Sequence, residues 1–251
     1  MERPRSKPEL EARHSATMAG RAKSIGVLLL ANVALASVNV SCIKSPTLTT
    51  RARILAYNPM TGEGETELRK AVNADSPQFL RLLEDRDPKV VEGTLLFASG
   101  QSVGKYRGKV CELAKQGHVE ISGAAMIALE EEGSAEGLAC LSEIVRGQSG
   151  LFATMAFHSI AQRWPDQAVH LSLEVTEADR PIKDIRSFVG TLISDTKHEA
   201  GVEKALQSIL DKLVLRLKSE KDPAQREITA KVVDLVRKEL SRRGQVVPPR
   251  G

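Results

Sequence analysis

Four stretches decide the fold: VVEGTLLFAS (Val90–Ser99), EISGAAMIAL (Glu120–Leu129), LFATMAFHSI (Leu151–Ile160) and DIRSFVGTLI (Asp184–Ile193). Each sets apolar residues three and four apart, the period of a helix with one buried stripe, and no sustained strand alternation accompanies them. Aligned through Val91, Ile121, Phe152 and Ile185, they recur at spacings of 30, 31 and 33 residues. In that register Gly93 falls opposite Gly123, and Ala125 and Ala156 fall opposite Leu95 and Val189. Small side chains at such places let helices approach closely. Aromatic residues make up only 3% of the chain, so the core must be aliphatic and alanine-rich, which favours helix packing over a sheet sandwich. The expectation is an all-α protein.

A second column alternates with the first. Leu82, Leu113, Ile144, Val175 and Leu206 recur every 31 residues. A column of that kind arises by chance about a third of the time at this hydrophobic content, so its weight comes from the alternation. Punctuation falls where helical hairpins need it. Asp87-Pro88 and Asp222-Pro223 each supply an N-cap followed by proline at the first helical position. Gly117, Gly133, Gly147 with Gly150, Trp164-Pro165 and Asp179-Arg180-Pro181 separate the other segments. A last pair is formed by GVEKALQSILDKLVLRLKSEK and REITAKVVDLVRKEL.

DPKVVEGTLLFA (Asp87–Ala98) is similar to the Asp-x-x-Val-Arg-x-x-Ala opening of the second helix in HEAT-type repeats, and Asp184, Ile185 and Arg186 take corresponding places in DIRSFVGTLI. The resemblance covers Ser76 to about Leu240. It implies a right-handed solenoid of about five antiparallel helix pairs, with an irregular helical bundle as the alternative. Such arrays bind partners on a concave face made by successive second helices. Polar positions there, Glu92, Ser122, His158, Arg186 and Lys231, are therefore the candidate protein-binding residues. Some HEAT-like families are lyases or glycosylases, which makes an enzyme or cofactor-handling protein the alternative function.

KSIGVLLLANVALASVNVSC (Lys23–Cys42) sets the compartment. Its apolar run is interrupted by Asn32 and Asn39 and falls short of the roughly 20 apolar residues of a membrane span. Arg21 and Lys23 before it and small residues after it give the order of a secretory signal, and Met18 would start a more conventional one. Ala34-Leu35-Ala36 offers one cleavage site. Val40-Ser41-Cys42 resembles the lipobox of bacterial lipoproteins, from which Asn39 departs, and this makes Cys42 the candidate lipidation site. The expected organisation is a leader and signal over 1–41, a flexible linker over 42–64, a HEAT-like domain over 65–243 and a disordered tail over 244–251. As a coil, the linker would reach roughly 25 to 30 Å. RARILAY, within it, is apolar enough to dock locally.

The leader holds six of the 36 basic and three of the 32 acidic residues, so the remainder carries a net charge of only +1. That removes the electrostatic argument for a nucleic-acid partner. The five histidines show no ligand spacing, so no metal or cofactor is expected. GQSVGKYRGK lacks the order of a phosphate loop and reads as a mobile connection. Glu130–Gly133 (EEEG) and Arg216–Lys221 (RLKSEK) read as solvated helix surface. Cys111 and Cys140 read as small apolar packing residues, since sequence does not reveal the Cα separation that a bridge requires. The sequence points to a non-catalytic scaffold binding a protein partner, anchored by lipid in the bacterial cell envelope. Alternatives are a periplasmic or secreted product cleaved at Ala36 and a cytoplasmic adaptor with an uncleaved N-terminal anchor.

Overall fold

The computed structural model describes residues 50–177, 180–195 and 201–244. The chain divides into two compact units, Met1–Pro46 and Thr47–Gly251, and every described residue belongs to the second. The signal, Cys42 and residues 245–251 of the tail lie outside the described residues.

The described residues form twelve α-helices and no strand. Two short helices, α1 (Thr50–Ala56) and α2 (Glu65–Ala71), lead into five pairs. These are α3 (Pro77–Leu83) with α4 (Pro88–Ala98), α5 (Arg107–Lys115) with α6 (Val119–Glu132), and α7 (Ala135–Gly147) with α8 (Leu151–Arg163). The last two are α9 (Pro165–Glu177) with α10 (Ile182–Asp195), and α11 (Val202–Ser219) with α12 (Pro223–Arg242). Side chains start four of them by satisfying the unpaired amides of a first turn. Ser76 accepts from the Phe79 amide, Asp87 from Lys89, Ser134 from Gly137, and Asp222 from Ala224 and Gln225. Proline follows at Pro77, Pro88 and Pro223, where its missing N–H costs nothing.

Each first helix packs on its own second helix, and the second helices α4, α6, α8, α10 and α12 contact one another in order. First helices meet less from the first pair to the fourth, where α5 touches α7 and the α3–α5 and α7–α9 contacts are marginal, but at the last junction α9 meets α11 more closely than α10 meets α12. Leu82, Leu113, Ile144, Val175 and Leu206 sit on α3, α5, α7, α9 and α11, and all five are at most 6% exposed. The 31-residue column is thus a buried seam. The same period appears in charge: Lys115 Nζ meets Glu143 at 2.7 Å and Arg146 Nε meets Glu174 at 2.6 Å, each partner lying 31 residues beyond its counterpart.

The second-helix register needs one correction. Val91, Ile121 and Ile185 are buried, but Phe152 is only partly so, while Ala153 is fully enclosed. The matching residues are therefore Val91, Ile121, Ala153 and Ile185, at spacings of 30, 32 and 32. A glycine followed by Leu151 and Phe152 supplies two apolar residues where only one can face inward, and the smaller Ala153 takes the crowded place.

Three expectations about surface and linker are also corrected. Residues 50–56, assigned to a flexible linker, form α1, which docks on α4 with Ile54 buried directly over Gly93, where a Cβ would collide. Tyr57 then packs edge-on against Phe97 at 5.0 Å, and Arg51 grips Asp85 through two bonds of 2.8 and 3.2 Å. The EEEG segment is not solvated. Glu130 is 6% exposed, Glu131 accepts from the Ser99 hydroxyl, and Glu132 takes two 2.8 Å bonds from Arg107 and one of 2.9 Å from Ser134. RLKSEK stays largely solvated, with Lys218, Ser219 and Lys221 exposed, although Arg216 reaches the Arg180 carbonyl at 2.8 Å. The connection expected to be mobile is tied down as well. Gln101 donates to the Arg69 and Val72 carbonyls and accepts from the Ala74 amide, and Tyr106 stands 5.8 Å from Phe79.

Candidate interaction face

The row α4, α6, α8, α10, α12 turns one side toward the first helices and leaves the other open. On α8 the open side carries Leu151, Met155, His158 and Gln162, with Leu151 54% exposed. Met155 lies over Gly123 of α6, whose added Cβ would come within 2.8 Å of its methyl group. Val119 on α6 and Leu96 on α4 are further exposed apolar side chains.

The most ordered chemical group on this side is a pair linking neighbouring second helices. His158 Nδ1 on α8 stands 2.8 Å from Asp195 Oδ2 on α10, with the histidine about half exposed and the aspartate largely buried. Ser194 Oγ donates to the other Asp195 oxygen at 2.8 Å. Burial alone would raise the Asp195 carboxyl, but the bonds from His158, Ser194 and Gln162 outweigh it and hold the group below its ordinary range. The two groups form a close contact between neighbouring second helices. The 37-residue gap between the partners hid it from sequence reasoning.

The other candidate residues are scattered. Glu92 is half-buried, and burial first, then the neighbouring Glu120 charge, pushes its carboxyl up. Glu120 itself faces His118 Nδ1 at 3.2 Å. Arg186 is exposed on α10, and Lys231 on α12 pairs with Glu227 at 2.6 Å. Ser122 does not belong to any surface. It is fully buried, donating its hydroxyl to the Leu113 carbonyl at 3.1 Å, so it ties α6 to α5 and is withdrawn as a binding residue. No bond joins any two of these five candidates among the described contacts.

Cys111 on α5 and Cys140 on α7 form a disulfide, with Cα atoms 6.0 Å apart across 29 residues. This corrects their reading as packing residues. Polar side chains tie the same layer together at the ends of helices. Gln148 Nε2 donates to the Lys115 carbonyl at 3.2 Å, and the Arg180 guanidinium donates to the Val145, Arg146 and Gln148 carbonyls that terminate α7. Asp184, 2% exposed, accepts from the Gly150 amide at 3.0 Å and so caps α8 from the next pair. A cation beyond a helix C-terminus and an anion before an N-terminus both follow the helix dipole.

Two shallow clefts open between pairs. One, of about 270 Å³, lies between the Leu83–Pro88 turn and Gln116; the other, of about 290 Å³, is lined by Leu151, Thr154, Lys183 and Ser187. Among the described residues no group of three or more His, Cys, Asp or Glu could hold a metal ion. None of their helices is long and apolar enough to cross a membrane. No family model, curated protein or solved structure matches the chain.

Proposed function

We propose that this protein is a membrane-tethered, non-catalytic scaffold of the bacterial cell envelope, built as a HEAT-like solenoid, that binds a protein partner on the open side of its second helices. The observation that carries the reading is the unbroken row α4–α6–α8–α10–α12. Closer contact in that row than among the first helices, which holds from α4 to α10, is what an array curving toward its second helices requires, and the inner side of such a curve is the extended binding surface of solenoids. Glu92, His158, Arg186 and Lys231 are the polar contacts this reading retains.

The cysteines support this compartment and tether. A disulfide between α5 and α7 suits an oxidising environment and is rare in the cytosol, which favours export over the cytoplasmic adaptor. With lipid on Cys42, the eight residues to Thr50 span at most about 28 Å. Docking of α1 therefore makes the tether much shorter than a linker running to Glu65, and holds the array near the membrane surface.

A second reading rests on His158–Asp195, since an imidazole 2.8 Å from a largely buried carboxylate is also the arrangement of a general base. Reproducible turnover of a small molecule, abolished by His158→Ala alone, would replace the scaffold with an enzyme. For the tether, the experiment is membrane fractionation and intact-mass measurement of the full chain and its Cys42→Ala variant. The wild type is expected in membranes with a lipidated residue 42 at its N-terminus, and the variant released or unprocessed. An unchanged mature mass in the variant would overturn lipidation.

A further inference from the structure

The Cys111–Cys140 bridge joins two helices that meet less closely than the second helices behind them. Between α5 and α7 the polar ties are the Lys115–Glu143 ion pair, 34% and 69% exposed, the Arg107–Glu136 pair at 3.5 Å, 24% and 70% exposed, and the single Gln148 bond to the Lys115 carbonyl. Exposed ion pairs of that kind are screened by solvent and salt. Directly behind them, α6 and α8 pack through Ala125, Ala128, Ala156 and Phe157, all at most 1% exposed. Leu113 and Ile144 are buried in the first-helix layer too, but that layer is the more loosely joined of the two, and there one covalent bond adds to the packing. The two sulfurs also differ in access: Cys140 is 5% exposed, whereas Cys111 is only partly buried at the edge of the core.

We propose that this disulfide is a redox-addressable staple, opened by a small thiol or protein dithiol that attacks at Cys111, freeing α5 from α7 while the second helices stay packed. In the first step the reductant's thiolate attacks Cys111 Sγ, a new sulfur–sulfur bond forms there, and the Cys111–Cys140 bond breaks. Cys140 leaves as thiolate and takes a proton from water or from the attacking thiol. A second thiol of the reductant then attacks its own sulfur in the mixed disulfide, releasing Cys111 and carrying away the oxidised reductant. Two electrons and two protons pass to the protein. The opposite attack, at Cys140, would expel the better-solvated thiolate but requires entry of the reductant into the core, so access to the attacked sulfur sets the direction. The consequence is mechanical. An array held through its second helices and released in its first helices at one junction changes curvature there, and with it the spacing of whatever binds along α6, α8 and α10.

The test uses the full chain, reduced glutathione in native buffer, and peptide mass mapping after acid quenching. The mixed disulfide is expected on Cys111 at least tenfold over Cys140, at a rate that does not rise when mild urea is added. Hydrogen exchange of the reduced protein should quicken at least tenfold in α5 and α7, with α6 and α8 within twofold of the oxidised form. The Cys111→Ser/Cys140→Ser variant should reproduce that exchange pattern without reductant. An adduct on Cys140, reduction only under denaturing conditions, or exchange that quickens equally in both layers would each overturn the proposal.

Discussion

Ile144 occupies the middle of the 31-residue seam, and removing its side chain measures whether that seam holds the array. It is 1% exposed, on α7, between Leu113 and Val175 of the neighbouring pairs. Ile144→Ala removes three buried carbons and leaves a cavity that stiff helix pairs close only in part. Such changes cost 2 to 5 kcal/mol, and about 3 kcal/mol is expected at this nearly sealed position. Urea unfolding followed by circular dichroism, with a slope of about 2.5 kcal/mol per molar, should show a midpoint about 1.2 M lower. The adjacent residue is the control. Glu143 has a side chain 69% exposed and only a surface partnership with Lys115, so Glu143→Ala should stay within about 0.5 to 1 kcal/mol. Equal effects from Ile144→Ala and Glu143→Ala would refute the seam.

The chain-entropy relation for the 29-residue separation puts the stabilisation by the Cys111–Cys140 bridge at about 3.6 kcal/mol, to be read from the unfolding midpoint of the double serine variant. Glu239, held by Arg242 and Arg243 against the opposing effect of its burial, is lowered from 4.5 to about 2. Its folded-state value lies below its unfolded one, so its contribution is fully present above pH 4.5 and fades as pH falls toward 2. Glu239→Gln should therefore weaken the protein at neutral pH and flatten its acid unfolding between those limits. Gly133 closes α6 at φ +71, and a Cβ there would stand 2.5 Å from the Arg163 guanidinium. Gly133→Ala should cost about 1 to 2 kcal/mol, whereas Gly147→Ala, with nothing near the new methyl and an ordinary helical backbone, should be neutral or slightly stabilising.

The parts of the fold that could be read from sequence are those written in local chemistry. Asp87-Pro88 and Asp222-Pro223 start helices where the capping rule places them, and the leucine-rich column is buried because one amphipathic period repeats. What escaped depends on partners far along the chain. Helix α1 has only seven residues, too few to be stable alone, and it docks on α4 because Gly93 admits Ile54. The three consecutive glutamates look like surface until Ser99 and Arg107 arrive from the preceding connection and helix. Ser122 looked exposed by analogy with Glu92, but the neighbouring Ile121, Ala124 and Ala125 place that turn of α6 in the core. The disulfide and the His158–Asp195 pair join residues 29 and 37 apart, which no local pattern encodes.

Photo-crosslinking in living bacterial cells tests the central claim most directly. A photoreactive benzoylphenylalanine is placed singly at His158 or Arg186 on the second helices, or at Glu112 or Glu143 on the first helices, all four being exposed positions. The account predicts one protein adduct of the same mass from positions 158 and 186, found in the membrane fraction and lost when Cys42→Ala is added, with none from 112 and 143. Adducts arising from 112 and 143 instead, or no adduct from any second-helix position, would contradict it.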